Sequence, residues 1–232
     1  MEDEFLKMLK GQNCDVLEVS EFKTPATEYP EKKVGKAEIE RKNYRKGIYF
    51  MDGVKGYDFF FVKKPIPVTS LKISGKQWMV DDPLHYEGMK LLAINSKGNV
   101  LVGGLGLGLV IHELAKNPDV KRIDVAEINP DVIELIKPLI PDKKVRIMNK
   151  NVFSEDFLKE DYDTVILDLW MKAKEEESKK IGLEMLGAYS FFKHNFPKAN
   201  VFIWGIREKA INPAVFKEKL CKAYDLLREA IG

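Results

Sequence analysis

The stretch N-V-L-V-G-G-L-G-L-G-L-V-I-H-E-L, residues 99–114, decides how the chain is read. The apolar run Val100–Val102 leads into four glycines, Gly103, Gly104, Gly106 and Gly108, and then into a segment with helical apolar spacing. Glycine loses more backbone freedom on folding than other residues, so a cluster at the end of an apolar run needs a cause. Two causes are open. The glycines let a helix and a strand pack closely, or they let a ligand approach the main chain. In the second case the free N–H groups at the helix start favour polar or negatively charged ligand groups.

Working outward, the pattern around this stretch fixes a fold class. Downstream come RIDVAEI (122–128), KVRIM (144–148), YDTVILDLW (162–170) and NVFIWG (200–205), each a short apolar run. Between them lie amphipathic stretches: a helix over 84–93, one leaving the glycines, and one opening at Asn129-Pro130. A short one follows Ser154, a long one covers 174–194, and a last one runs from Pro213 to Ala230. Such alternation predicts an α/β, Rossmann-like, mostly parallel sheet with helices on both faces over residues 81–232. Residues 1–80 read differently, as a small antiparallel β region with a short leading helix (Phe5, Leu6, Met8, Leu9). There GIYFM (47–51) and YDFFFV (57–62) flank Asp52-Gly53, a hairpin signal, and LKIS (71–74) and KQWMV (76–80) flank Gly75. The polar span from Ser20 to Arg45, with Pro25 and Pro30, reads as loop-rich.

The charge balance of 38 Lys and Arg against 36 Asp and Glu leaves a formal net charge of +2, which gives no mandate for an acidic partner. Cys14 and Cys221 lie far apart, and His85, His112 and His194 are scattered, so neither a disulfide framework nor a metal site is expected. The acidic start MEDEFLKMLK lacks a signal-peptide core, and no apolar run approaches the roughly 20 residues that span a bilayer. The expectation is a soluble cytoplasmic protein with no membrane partner. The basic segment KAEIERKNYRKG (36–47) leaves contact with nucleic acid possible, though Glu38 and Glu40 dilute its charge and a solvated face is the alternative.

The ligand reading of the glycines is sharpened by Glu127, 19 positions after Gly108 at the end of RIDVA. A carboxylate there, at the carboxyl end of the neighbouring strand, can accept both hydrogens of a ribose diol. It also reads as a solvated acid near a helix start, where Asn129 caps and Pro130 suits the first helical position. The loop lacks the third glycine of a dinucleotide fingerprint, since Leu109 stands there, and no G-K-[ST] follows. It suits an adenosine carried without a pyrophosphate better than NAD.

VLVGGLGLGLVIHELAKNPDVKRIDVAEINPDVIEL resembles the opening of the class I S-adenosylmethionine-dependent methyltransferases, and more narrowly their spermidine-synthase-like branch. The resemblance covers roughly residues 71–170. It implies S-adenosylmethionine as cofactor, with Gly104, Gly106 and Gly108 beneath its methionine part and Glu127 on the ribose. Asn151 and Val152 would meet the adenine; Asn151 reads equally as a turn residue. The branch has a Gln and a Tyr lining the active site, falling near Gln77 and at Tyr86. Asp168, which ends YDTVILD, stands where the family delivers an acid to the reaction centre. Trp170 either brackets an acceptor with its ring face or packs at the mouth of the sheet.

Two departures shape the expected chemistry. Polyamine synthases of the branch carry an aspartate within the glycine loop, whereas this loop has only leucines between its later glycines. They also carry a second acid after the fourth strand, where this chain reads Asp168-Leu169-Trp170-Met171-Lys172. A dicationic acceptor would lose two negative partners. The expectation is therefore methyl transfer to an unidentified small-molecule acceptor, with Asp168 as base. Aminopropyl transfer and non-catalytic nucleoside binding are the alternatives. The segment after NVFIWG offers one helical stretch in place of a closing hairpin, which suggests a homodimer that covers the sheet edge.

Overall fold

The computed structural model describes residues 16–50, 59–140, 143–170 and 175–205, with Leu6, Lys7 and Gly11 as isolated helical positions. The leading helix, the Asp52-Gly53 link, both cysteines and the helix expected over 213–230 thus fall wholly or mostly outside the described residues.

In chain order the strands of the N-terminal region are β1 (Val16–Val19), β2 (Lys32–Val34), β3 (Ala37–Tyr44), β4 (Gly47–Phe50), β5 (Phe59–Val62), β6 (Ile66–Ile73) and β7 (Lys76–Val80). They form two sheets, β1-β5-β4 and β2-β3-β6-β7. Pairing is antiparallel throughout except between β1 and β5. The β6–β7 hairpin turns at Ser74-Gly75, and its register shifts between Leu71 and Lys72, opposite Trp78. The loop-rich reading of 20–45 is corrected here. β3 pairs with β6 over eight residues, from Ala37 opposite Ile73 to Tyr44 opposite Ile66. Its sequence, A-E-I-E-R-K-N-Y, buries only Ala37 and Ile39, and the charged remainder hides the strand from a hydrophobicity argument.

From Pro83 the architecture is the expected alternation. The elements are α1 (Pro83–Ile94), β8 (Gly98–Gly103), α2 (Leu109–Lys116), β9 (Val120–Glu127), α3 (Pro130–Ile136), β10 (Val145–Asn149), α4 (Glu155–Leu158), β11 (Thr164–Leu167), α5 (Glu175–Asn195) and β12 (Asn200–Ile203). The five strands are all parallel, in the order β10-β9-β8-β11-β12. The central strand β8 alternates its side chains between two cores. Val100 and Val102 join Leu109, Leu114, Val132 and Met89 on the face covered by α1, α2 and α3. Leu101 joins Phe157, Ala188 and Phe192 on the face covered by α4 and α5. Val100, Leu101 and Val102 are all fully buried, which is why this strand reads as a continuous apolar run.

Helix starts follow their sequence signals. Asp82 caps α1, its Oδ1 accepting from the Leu84 and His85 N–H groups, with Pro83 at the first helical position. Asn129 and Pro130 do the same for α3. On β9, Asp124 is fully buried and takes a two-pronged bond from Arg146 at 3.0 and 2.9 Å and a third from the Tyr162 hydroxyl at 2.9 Å. That pairing offsets the cost of burying its charge and holds the guanidinium well above the ordinary arginine range.

Candidate active site

Chain order reverses between β8 and β11, so the carboxyl ends of these two strands open the crevice where ligands bind in such sheets. The glycine loop fills that point. Gly104 has φ +95°, and a Cβ there would lie 2.5 Å from the Asp168 carbonyl oxygen. Only glycine lets the two strand ends approach so closely. The Asp168 N–H in turn donates to the Gly103 carbonyl at 2.9 Å, and the Gly104 N–H donates to Ala126 at 2.9 Å. A Cβ on Gly103 would meet Leu167 and Val152, so Val152, itself buried, forms the floor beside the loop. Close packing, the first of the two causes raised for the glycines, is visible at both of these positions.

Glu127 ends β9 half-buried and grips the loop. Its Oε2 accepts from the Leu105 N–H at 2.9 Å and its Oε1 from the Asn129 N–H at 2.8 Å. Each oxygen keeps a free lone pair, the arrangement a ribose diol requires. Asn151 is exposed after β10; its Oδ1 accepts from the Phe153 N–H at 3.0 Å and its carbonyl accepts from the Ser154 N–H at 2.9 Å, which makes it a turn residue. Asp168 follows β11 and is half-buried. Desolvation, with no compensating charge, pushes its carboxyl up to about 7.

The structure brings Gly104, Glu127, Val152 and Asp168 together around the end of β8. The polar atoms of the three expected lining residues are engaged elsewhere. Gln77, exposed on β7, accepts from Lys42 Nζ at 2.7 Å. The Tyr86 hydroxyl donates to Glu113 on α2 at 2.7 Å, and Trp170 Nε1 donates to Glu184 on α5 at 3.3 Å. His85 on α1 is buried and stacks on Trp204 at 4.8 Å; desolvation pulls its imidazole down to about 4. Two residues that the sequence left unmarked hold the loop from the N-terminal region. The Leu107 N–H donates to Met79 Sδ at 3.2 Å, and the Tyr29 hydroxyl donates to the Leu107 carbonyl at 3.1 Å. Tyr29 lies 78 positions from its partner, so no local pattern could pair them. Among the described residues no group of three His, Cys, Asp or Glu side chains is placed to hold a metal, and no helix is long and apolar enough to cross a membrane.

A five-stranded parallel sheet with a glycine loop and an acid at its switch point defines a Rossmann-like fold. Comparison with known proteins narrows this further. The spermine/spermidine synthase domain model matches residues 86–180, which contain the loop, Glu127, Asn151 and Asp168. The polyamine aminopropyltransferase of Sulfurisphaera tokodaii is 24% identical over 163 residues, covering 65% of this chain and 51% of that protein. The polyamine aminopropyltransferase of Clostridium beijerinckii is 37% identical over 78 residues, covering 30% of this chain and 28% of its own. The crystal structure of spermidine synthase from Thermotoga maritima aligns at 17% identity over 44% of this chain and 43% of that one, with a TM-score of 0.35. The chain spans about half the length, at most, of the relatives it matches.

The expected methyl transfer is overturned by these relatives. All are named for aminopropyl transfer, and the matching family model is that of spermine and spermidine synthases. The two carboxylates that this chain lacks therefore do not set it apart from the aminopropyltransferases it resembles.

Proposed function

We propose that the chain is a transferase domain that moves the aminopropyl group of decarboxylated S-adenosylmethionine to an amine. The observation that carries this reading is Asp168: a half-buried carboxyl beside the glycine loop, with no described residue donating a hydrogen bond to its side chain. The match to the spermine/spermidine synthase domain over the same residues supports it. In this reading Glu127 accepts the ribose hydroxyls, Gly104, Gly106 and Gly108 underlie the donor tail, and Asn151 and Val152 border the adenine. Tyr86, Gln77 and Trp170 stand at the acceptor side.

The chemistry asks mainly for alignment, because the sulfonium already activates its neighbouring carbon. The amine lone pair forms a bond to the aminopropyl methylene next to sulfur. The carbon–sulfur bond breaks, its electron pair returns to sulfur, and neutral methylthioadenosine leaves. The new secondary ammonium gives a proton to the Asp168 carboxylate. A base with a pKa near 7 suits this role at neutral pH. Deprotonated Asp168 is needed, so the rate should rise with pH through about 7.

The test is incubation of the protein with decarboxylated S-adenosylmethionine and a series of aliphatic mono- and diamines, following methylthioadenosine release. Release coupled to an aminopropylated amine, falling at least a hundredfold in Asp168→Asn, is the expected result. Methylthioadenosine release that is unchanged in Asp168→Asn would remove Asp168 from the reaction. Absence of product with every amine would refute aminopropyl transfer.

A further inference from the structure

The glycine loop offers two main-chain N–H groups that side chains have taken up, and the two partners are very unequal. The Leu105 N–H is held by a carboxylate, Glu127 Oε2, at 2.9 Å. The Leu107 N–H is held by a thioether, Met79 Sδ, at 3.2 Å. Sulfur is a weak acceptor, so the second N–H is covered rather than well satisfied. The cover depends on Gly106. That residue has φ +50°, and a Cβ there would lie 2.5 Å from Met79 Sδ, so any side chain would push the thioether off the loop. The Tyr29 hydroxyl fixes the carbonyl of Leu107, whose side chain is fully buried. These contacts hold Leu107 in place beside Met79.

We propose that Met79 is a specificity-determining residue, whose thioether covers the loop N–H that a donor-tail carboxylate would otherwise take. The inference rests on the reading of the loop as the site of the donor tail. A tail ending in a carboxylate would form a charge-assisted bond to this N–H, about twice as strong as a neutral one, but only after expelling Met79 from a half-buried position. A tail without the carboxylate has no acceptor to offer and leaves the thioether in place. No acidic side chain lies between Gly104 and Gly108 to repel a carboxylate, so the loop itself supplies no such discrimination.

Calorimetric titration of the full chain and of Met79→Val tests this, with S-adenosylmethionine, its decarboxylated form and methylthioadenosine as probes. Valine keeps strand propensity on β7 and is too short to reach the loop. Met79→Ala serves as a second variant. Methylthioadenosine has no amino-acid tail and reports whether the nucleoside site is intact. The expected result is that both variants still bind methylthioadenosine, with S-adenosylmethionine gaining at least tenfold relative to the decarboxylated donor. Methylthioadenosine binding with an affinity ratio within twofold of the parent protein in both variants would overturn the role of Met79 alone. Failure of the parent protein to bind any of the three would overturn the reading of the loop, and this inference with it.

Discussion

β8 of the parallel sheet and β3 of the β2-β3-β6-β7 sheet draw differently on apolar burial, and the glycine loop is gripped from both sheets. In β8 and β11 every side chain from Val100 to Val102 and from Val165 to Leu167 is buried, because helices cover both faces. Burial of apolar area specifies those strands. In β3, Glu40 pairs with Lys72, the Arg41 N–H donates to Glu31, and Lys42 reaches Gln77. Those contacts are at the surface and individually weak, so the backbone ladder to β6 holds the strand in register. The difference shows in how each region treats the loop. The parallel sheet supplies Glu127, a strong acceptor, while the antiparallel sheet supplies Met79, a weak one.

The sharpest way to break this comparison is to truncate one residue in each sheet. Leu101→Ala should cost about 3 kcal/mol, from lost burial and the cavity left between β8 and the α5 core. Lys42→Ala should cost under about 0.5 kcal/mol. Denaturant unfolding measures both, and comparable losses would show that the two sheets are not held differently.

A smaller effect is expected where the N-terminal region clamps the loop. Tyr29→Phe removes the hydroxyl that bonds Leu107 and lies 2.7 Å from His112 Nε2. A loss of about 1 kcal/mol follows, measured by the same unfolding experiment. No loss would mean that the Leu107 carbonyl finds another donor.

An effect read through pH lies at the junction of the two regions. Burial pushes the Asp82 carboxyl up to about 7, against its ordinary value near 4. The folded state therefore holds this proton more tightly than the unfolded chain does. The associated stability is full below about pH 4, falls as pH rises, and is lost by about pH 7. Asp82→Asn keeps a capping oxygen and does not titrate, so its melting temperature relative to the parent should rise between pH 4.5 and pH 8. Asp81, also raised, to about 6, adds its charge to the rise at Asp82, so the difference between the two proteins reports the pair of carboxyls rather than Asp82 alone. A pH-independent difference would contradict the burial effect at Asp82.

The same contrast explains what could be read from the sequence. Strands buried on both faces announce themselves as V-L-V, V-I-L and the runs beside them, and caps such as Asp82-Pro83 and Asn129-Pro130 mark the helices between. Gly104, Glu127 and Asp168 could be placed at one edge of the sheet because each sits at the carboxyl end of such a strand. β3 could not be found, since its charged residues gain nothing from burial. Met79 and Tyr29 were missed for a related reason: they reach the loop through tertiary packing, across 28 and 78 positions of sequence. The acceptor side misled outright. Missing carboxylates suggested another group transfer, and only the relatives corrected it.

The most direct test of the account is a calorimetric titration of the protein and its Glu127→Ala variant with decarboxylated S-adenosylmethionine. Binding by the parent protein and at least a tenfold loss, about 1.4 kcal/mol, in the folded variant are expected. Equal affinity in both would place the ribose away from Glu127 and contradict the assignment of the site.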